Sequence, residues 1–174
     1  MAKLVLLLVL IVALCSANDA ASCSDVAHGH NYLPFNGKCY IVFQYSTSWA
    51  NAMTACSRLF HGRLAFVDDL DTMYALEGWL NNVYHPIREG ALWWIGLLQV
   101  DTSDEPAGGW AWVNTDHSFN HGFSSANTPW HSGEPDNKGG NENCGLLWFE
   151  GGKLGPGDDS CAGDKNFVCE TPEA

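Results

Sequence analysis

Three carboxylates lie within nine residues of one another: Glu134, Asp136 and Glu142. The surrounding stretch, WHSGEPDNKGGNENC from residue 130 to residue 144, also contains Pro135 and three glycines, which disfavour a regular helix or strand. Like charges at this density need a cation, a shared proton or screening by water. Asp, Glu and Asn side chains on a flexible loop are the oxygen ligands that Ca²⁺ prefers. The segment is therefore a candidate Ca²⁺ site, and the alternatives are an acid pair or a solvated acidic loop.

The same acids offer an enzymatic alternative. Glu134 and Glu142 could serve as the two carboxylates of a glycosidase, one as the acid and the other as the base or nucleophile. Such a pair needs environments that separate its two pKa values, whereas a polar, glycine-rich loop treats both side chains alike. No Ser-His-Asp or Cys-His arrangement stands out in the sequence either. We therefore expect a binding protein and not an enzyme.

Two histidine pairs have a spacing that zinc ligands use: His28 with His30, and His117 with His121. A third ligand at a suitable spacing accompanies neither pair. We therefore interpret these residues as surface histidines.

Two segments have the apolar periodicity of amphipathic helices. The first carries apolar residues three or four positions apart, at Trp49, Met53, Cys56 and Phe60, and it ends before Gly62. The second runs from Met73 to Val83 and follows three acidic residues, Asp68, Asp69 and Asp71. These acids suit the positive end of a helix. We do not interpret them as metal ligands, because the stretch lacks the glycine and the terminal glutamate of an EF-hand.

Short segments rich in β-branched and aromatic residues predict strands at residues 39–45, 63–67, 93–98, 110–114, 144–150 and 166–170. Two helices followed by such strands define an α+β domain. The segment between Asn114 and Cys144 has little regular pattern, and a loop of that length in a compact domain is functional or disordered. Phe123, Pro129 and Trp130 argue against disorder, so we expect this segment to be ordered. Four tryptophans of this half are expected in the core, because large aromatic side chains dominate burial: Trp110, Trp112, Trp130 and Trp148.

The chain begins in the manner of a secretory signal peptide. Lys3 precedes an apolar run that ends at Leu14, and small residues follow. We predict a signal peptide over residues 1–17, with Ala20 or Ala21 as alternative cleavage points. The apolar run is shorter than the roughly 20 residues that a membrane-spanning helix needs. We therefore expect a secreted, extracellular protein without membrane insertion.

The rest of the chain, residues 18–174, is predicted to form one domain with its core at about residues 23–170, because it contains no internal repeat or low-complexity tract. The net charge of −12 disfavours nucleic acid and anionic membranes as partners and is compatible with a divalent cation. Of the seven cysteines, Cys15 is lost with the signal peptide. The even number that remains indicates disulfides in an exported protein, and its possible connectivities stay open at this point.

Several motifs of rare residues occur in the order found in one family. They are Cys56 with Gly62-Arg63-Leu64-Ala65, then Trp94-Ile95-Gly96-Leu97, Trp110-Ala111-Trp112, Glu134-Pro135-Asp136, Glu142-Asn143-Cys144 and Phe167-Val168-Cys169-Glu170. With these motifs the chain resembles the C-type lectin-like domain family over nearly the whole predicted domain. The resemblance implies an α+β fold in which two helices flank irregular antiparallel sheets with a long calcium-binding loop region. It also implies three disulfides: Cys23–Cys39, Cys56–Cys169 and Cys144–Cys161.

The resemblance further implies a Ca²⁺ site. Sugar-binding members build it from a Glu-Pro-Asn or Gln-Pro-Asp triplet with a cis proline, a later glutamate and an Asn-Asp pair. Counting back from Cys161 places Gly157 where the family has the asparagine of that pair. A shift of one residue would instead make Asp158 and Asp159 the pair, and both alternatives stay open. Mapped by position, the implied Ca²⁺ ligands are Glu134, Asp136, Glu142 and Asp158, with Asp159 in the shifted alternative.

The implied sugar contacts are Glu134, Asp136, Glu142 and Asn143. The triplet is Glu-Pro-Asp, which mixes the glutamate of mannose-type members with the aspartate of galactose-type members. Galactose-type members typically place an aromatic residue after the triplet, and NKGGN at residues 137–141 has none. We therefore expect mannose or fucose rather than galactose. Because the usual amides are absent, the sugar is expected to bind loosely or in an unusual pose.

The resemblance implies a secreted C-type lectin that binds microbial or other foreign glycans in innate immunity, with several copies raising the avidity. The alternative is a domain that binds protein or mineral surfaces without calcium or sugar, which the acidic composition and Gly157 would suit. A second Ca²⁺ ion would draw on Asp101, Asp104 and Glu105. We do not expect that second site, because Asn137 replaces a usual aspartate.

Overall fold

The structure, a computed structural model, describes residues 22–120 and 129–172. The signal peptide predicted over residues 1–17 lies outside this part of the chain, and so does His121, which we interpret as a surface histidine. Both interpretations remain predictions. No helix in the described ranges is long and apolar enough to cross a membrane.

Three helices and nine strands make up the described part of the chain. The helices are α1 (Cys23–Val26), α2 (Trp49–Phe60) and α3 (Leu70–Val83). The strands are β1 (Tyr32–Phe35), β2 (Lys38–Thr47), β3 (Arg63–Leu64), β4 (Ala91–Gln99), β5 (Trp110–Val113), β6 (Phe119–Asn120), β7 (Cys144–Glu150), β8 (Lys153–Asp159) and β9 (Lys165–Pro172). The predicted helices and strands are all present, and the α+β class is confirmed.

The sheet is built around its last strand, β9. This strand pairs antiparallel with β2 and β3 and parallel with β4. β4 also pairs antiparallel with β5 and β7, and β7 pairs antiparallel with β8. The contact between β4 and β9 is thus an exception to the antiparallel sheet implied by the resemblance. It joins β2 and β9 to β4 and, through β4, to the β7–β8 hairpin that carries Asp158.

The helices bury the residues that the periodicity selects. In α2 the buried residues include Trp49, Met53, Cys56 and Phe60. The indole of Trp49 also donates a hydrogen bond of 2.8 Å to the carbonyl oxygen of Ile95 on β4. At the start of α3, Asp69 accepts the backbone N–H of Thr72 at 2.7 Å, so this acid is a helix cap as predicted.

Strands β1, β6 and β8 are not predicted from the sequence, and β8 matters most because it carries Asp158. It contains two glycines and a proline, which are depleted in strands. Yet it pairs with β7 over its whole length, from Cys144↔Asp159 to Glu150↔Lys153. The turn between the two strands is Gly151-Gly152, with φ angles of 60° and 76°. That Gly-Gly pair was the one sequence signal for a hairpin here.

The three disulfides implied by the resemblance are all present. They join Cys23 to Cys39, Cys56 to Cys169 and Cys144 to Cys161. The second links α2 to β9 across a sequence separation of 113 residues. In the chain-entropy model, closing a loop of that size contributes about 4 to 5 kcal/mol. The third ties the start of β7 to the segment after β8, so it closes the open end of the hairpin.

Gly96 on β4 lies against the segment that follows β3, and its backbone N–H donates to the carbonyl oxygen of Ala65 at 2.9 Å. A Cβ at this position would lie 2.7 Å from the carbonyl oxygen of Leu64 and 3.2 Å from the ring of Phe66. We predict that Gly96→Ala lowers the free energy of unfolding by about 1 to 3 kcal/mol, because neither neighbour can withdraw. Urea unfolding measures this change.

The matched control is Gly78→Ala on the exposed side of α3, where a Cβ would meet no atom within 4 Å. This variant should raise the free energy of unfolding by about 0.5 to 1 kcal/mol, since alanine favours the helix. Equal effects of the two substitutions would contradict the close contact at Gly96.

Candidate calcium-binding site

Three carboxylates converge where the long loop meets the end of β8. Glu134 and Asp136 flank Pro135, and the bond between Glu134 and Pro135 is cis. Asp158 comes from the penultimate position of β8. Each of the three acids offers one oxygen atom, and these oxygens lie within 4.8 Å of one another. Asp158 lies 22 positions beyond Asp136 in the sequence. The two residues meet because β8 returns beside the loop.

Asp158 fastens the loop to the strand. Its Oδ1 accepts the backbone N–H of Asp136 at 2.9 Å, and its Oδ2 accepts that of Asn137 at 3.0 Å. In return, the backbone N–H of Asp158 donates to Oε2 of Glu134 at 3.3 Å. The Asp158 side chain is 8% exposed, so these bonds are largely shielded from water. They fix the positions of both loop carboxylates.

Glu142 lies at the rim of this cluster. Its Oε2 accepts the backbone N–H of Lys138 at 2.7 Å, and the same N–H lies 3.0 Å from Oδ1 of Asp136. The backbone N–H of Glu142 donates to the side-chain oxygen of Asn137 at 3.0 Å. Hydrogen bonds within the loop thus bring Glu142 to the same pocket as the other carboxylates, although it is not one of the three that converge.

The carboxylates open onto a pocket of about 350 Å³ that Asp159 also lines. The carboxylate of Asp159, however, is engaged by Lys165, whose Nζ lies 2.6 Å from Oδ2 and 4.5 Å from the centre of the Trp94 ring. The structure brings Asp158, which both alternative alignments include, into the cluster. It holds Asp159 in an ion pair at the pocket wall.

Gly157 faces the cluster but contributes no side-chain atom. A Cβ built on it would lie 3.3 Å from Cγ and Oε2 of Glu134. The position therefore points at the first carboxylate of the triplet. The missing side chain leaves the cluster without an amide on the β8 side.

Other predicted site residues lie elsewhere. Asn143 accepts the backbone N–H of Gln99 with its carbonyl oxygen at 2.8 Å, and it does not line the pocket. In the second-ion candidate, Asp101 accepts the N–H of Ser103, and Glu105 accepts the side-chain amide of Gln99. Within the described residues, these acids form no metal-binding group.

The histidines of the amino-terminal segment contact aromatic side chains. The ring of His30 lies 4.5 Å from that of Phe43, and the ring of His28 lies 6.0 Å from that of Phe60. Both histidines are exposed to solvent, in agreement with their interpretation as surface residues.

The expectation that four tryptophans are core residues is right for two of them. Trp110 and Trp112 are buried, at 4% and 1% exposure. Trp130 and Trp148 are half-buried, and each lines a surface pocket. Trp148 lines the pocket of the carboxylates, and its ring lies 5.1 Å from that of His131. Large residues are generally buried. Trp148, however, lies where β7 forms a wall of the pocket, so no other part of the fold covers its ring on that side.

Burial and crowding raise the pKa of two of the carboxyl groups. Burial raises the pKa of Glu134 to about 8, and the neighbouring carboxyls of Asp158 and Asp136 add to this rise. Burial also raises the pKa of Glu142 to about 7, and the same two aspartates act in that direction. Without a cation, the site therefore resists carrying its full negative charge.

The donor set fits Ca²⁺. All donors are oxygens, which hard cations prefer, and no nitrogen or sulfur ligand of the kind that selects zinc belongs to the described cluster. Three carboxylates with Glu142 at the rim leave coordination positions for water or ligand hydroxyls, since Ca²⁺ takes about six to eight oxygens. A cation would also offset the burial and the carboxyl repulsion that together raise the pKa of Glu134.

The fold and the family comparison together define a C-type lectin. The chain belongs to this family, because the model of the lectin C-type domain matches residues 45–171. A C-type lectin mannose-binding isoform of Oxyuranus scutellatus is 30% identical over 96% of this chain and 96% of its own length. C-type lectin BfL-2 of Bungarus fasciatus is 32% identical over 80% of each chain. The relatives of this chain are C-type lectins, a family of binding proteins.

Solved structures agree on the fold. Human lithostathine superposes with a TM-score of 0.64 at 18% identity, covering 81% of this chain and 96% of its own. The C-type lectin domain of murine dendritic cell inhibitory receptor 2, solved in complex with an N-glycan, has a TM-score of 0.59 at 22% identity and covers 81% of this chain and 95% of its own. At these identities the likeness establishes the C-type lectin fold alone.

The raised pKa of Glu134 predicts how stability depends on pH when Ca²⁺ is removed. The folded-state pKa of about 8 lies above the ordinary value of 4.5 for a glutamate, so ionisation of this group destabilises the fold. Its stabilising contribution is complete below about pH 4.5 and is lost as the pH rises through about 8. In chelator, we expect the free energy of unfolding of the wild type to fall over this range relative to Glu134→Gln, which does not titrate.

Urea unfolding at a series of pH values, in chelator and in saturating Ca²⁺, measures the difference. With Ca²⁺ the trend should reverse, because the ion binds the ionised carboxylates and competes with protons. If the difference in free energy of unfolding between the wild type and Glu134→Gln does not change with pH in chelator, the raised pKa of Glu134 is contradicted.

Proposed function

We propose that this protein is a secreted, calcium-dependent carbohydrate-binding lectin. The observation that carries the proposal is the convergence of Glu134, Asp136 and Asp158, whose oxygens lie within 4.8 Å of one another beside an open pocket. These residues and Glu142 would hold the ion. Asp159 would support the site through its ion pair with Lys165.

A sugar would complete the coordination shell of the ion with two neighbouring hydroxyl groups. Ionised carboxylates accept hydrogen bonds and cannot donate them, so they can receive the hydroxyl protons but give none back. The amides that the family uses as donors are missing at Asp136 and Gly157. Each buried group left unsatisfied costs about 1 to 3 kcal/mol. We therefore expect a weak single site unless Asn137, Asn141 or water supplies a donor.

Mannose or fucose is the proposed sugar class rather than galactose. The loop at residues 137–141 has no aromatic side chain to stack on a galactose face. The pocket has an aromatic wall, but Trp148 provides it from β7, on the strand side. The name of the Oxyuranus scutellatus relative, a mannose-binding isoform, supports the same choice.

The proposed biological role is recognition of microbial or other foreign glycans outside the cell. Its support is the family membership together with the signal-like sequence at the start of the chain. A single weak site would need several copies of the protein on one surface, because linked copies raise the avidity without any new contact. We therefore propose that the protein acts as an assembly.

Removal of one loop carboxylate should abolish strong Ca²⁺ binding. We predict that calorimetric titration of the oxidised protein detects a saturable Ca²⁺ site, and that Asp136→Ala weakens it by at least about tenfold, since each ligand lost from a small oxygen cluster removes direct charge attraction. Asp136 is exposed, so the substitution removes little packing.

Asp71→Ala is the matched control, because Asp71 is an exposed aspartate in the first turn of α3, outside the cluster. It should bind Ca²⁺ as the wild type does. If the wild type shows no heat of binding at millimolar Ca²⁺, or if both variants lose binding equally, the calcium-dependent mechanism is wrong.

Elution from a mannose-coated surface tests the sugar class. We predict that the protein binds the surface in Ca²⁺, and that free mannose and chelator release it while galactose does so poorly.

The alternative function is binding to a protein or mineral surface without sugar. Gly157 and the net charge of −12 favour it, since the first removes a sugar donor and the second attracts cationic surfaces. Retention that free mannose, galactose and chelator all leave unchanged would support this alternative and contradict the lectin mechanism.

A further inference from the structure

A second concave site lies beside the carboxylate pocket, in a groove between α3 and the β7–β8 hairpin. Its volume is about 760 Å³, which falls within the range of about 300 to 1,000 Å³ typical of small-molecule sites. One wall is the outer face of α3 and the other is the hairpin turn. Segment 129–132 forms the end of the groove. The groove contains none of the three converging carboxylates.

Two aromatic side chains face this groove. Tyr74 on α3 is 60% exposed, the largest exposure among the exposed hydrophobic side chains of the described residues. Trp130 is half-buried, and its ring is braced at 5.3 Å by the ring of Trp110 beneath it. A ring held as that of Trp130 is offers a flat apolar surface at little loss of side-chain entropy on binding.

Polar groups surround the two rings. Glu77 and Asn81 follow Tyr74 along the same face of α3, where positions three or four apart are neighbours. Glu150 and Lys153 face them from the hairpin. Carboxylates accept hydroxyl protons, whereas the amide and the ammonium donate to hydroxyl oxygens. The carboxylate pocket, by contrast, is lined by five carboxyl groups and one ammonium group, that of Lys138.

The walls of the groove are fixed before any ligand binds. Glu89 accepts the backbone N–H groups of Gly151 and Gly152, at 2.9 and 3.2 Å, and so holds the hairpin turn. The backbone N–H of His131 donates to the carbonyl oxygen of Pro156 at 2.7 Å, which holds the end of the groove against β8. A preformed site loses less entropy when it binds.

We propose that this groove is a calcium-independent binding site for a neutral oligosaccharide of pyranose units. Tyr74 and Trp130 would cover the apolar faces of the sugar rings, and the polar side chains around them would bind the hydroxyls. A neutral ligand fits better than an anion, which Glu77 and Glu150 would repel, and Lys153 offsets part of the attraction that these two acids would exert on a cation. The site goes beyond the proposed lectin function, since it uses none of the residues that would hold Ca²⁺.

The test is an NMR titration of the ¹⁵N-labelled protein with cellotriose in excess chelator. We expect saturable shifts of the Trp130 indole signal and of the Gly151 amide, with a dissociation constant in the millimolar range. Tyr74→Ala should weaken binding by at least about fivefold, because it removes one stacking surface. Tyr45→Ala is the matched control, since Tyr45 is 50% exposed but lies on β2, away from the groove.

Three outcomes would overturn the proposal. Cellotriose could give no saturable shift, it could give shifts only after Ca²⁺ is added, or Tyr74→Ala could bind as tightly as Tyr45→Ala. Because the titration is done in chelator, its result does not depend on whether the carboxylate cluster binds Ca²⁺.

Discussion

Two hydrogen bonds to one buried carboxylate hold the loop of the candidate site on the sheet. Asp158 accepts the N–H groups of Asp136 and Asn137, which lie in a stretch without strand pairing. Bonds to a charged acceptor are stronger than those between neutral groups. Asp158 is thus both the anchor of the loop and a candidate ligand. The geometry of Glu134, whose carboxylate accepts the N–H of Asp158, follows from the same anchor.

The glycines of β8 allow the loop to lie directly on the strand. A Cβ at position 155 would come within 3.2 Å of the His131 side chain, and one at position 157 within 3.3 Å of Glu134. Such contacts are tighter than most in folded proteins, so larger residues would push the loop outward. The same absence of side chains removes the amide that the family places beside the first triplet carboxylate. A glycine at position 157 therefore lets the loop pack closely on β8, but it cannot supply a hydrogen-bond donor for a sugar.

Local patterns in the sequence predict those features of the structure that depend on residues close together in the chain. The face of α2 and the grouping of Glu134 with Asp136 follow from spacing alone. The disulfides and Asp158 came instead from the family resemblance, because the glycines and proline of β8 conceal a strand. The position of Asp159 depends on its ion pair with Lys165, which only the fold brings near. For the same reason, the half-buried state of Trp148 could not be predicted from its size.

Charge crowding links the proposed ion to the stability of the loop. Burial and neighbouring carboxyls raise the pKa of Glu134 and that of Glu142, so the fold without a cation opposes full ionisation. Folding alone brings Asp158 beside the loop, and the unfolded chain therefore offers no comparable site. A ligand that binds only the folded state adds its binding free energy to stability. Under the proposed function, Ca²⁺ would then stabilise the sugar-facing loop as well as contact the sugar, because it neutralises a repulsion that the fold itself creates.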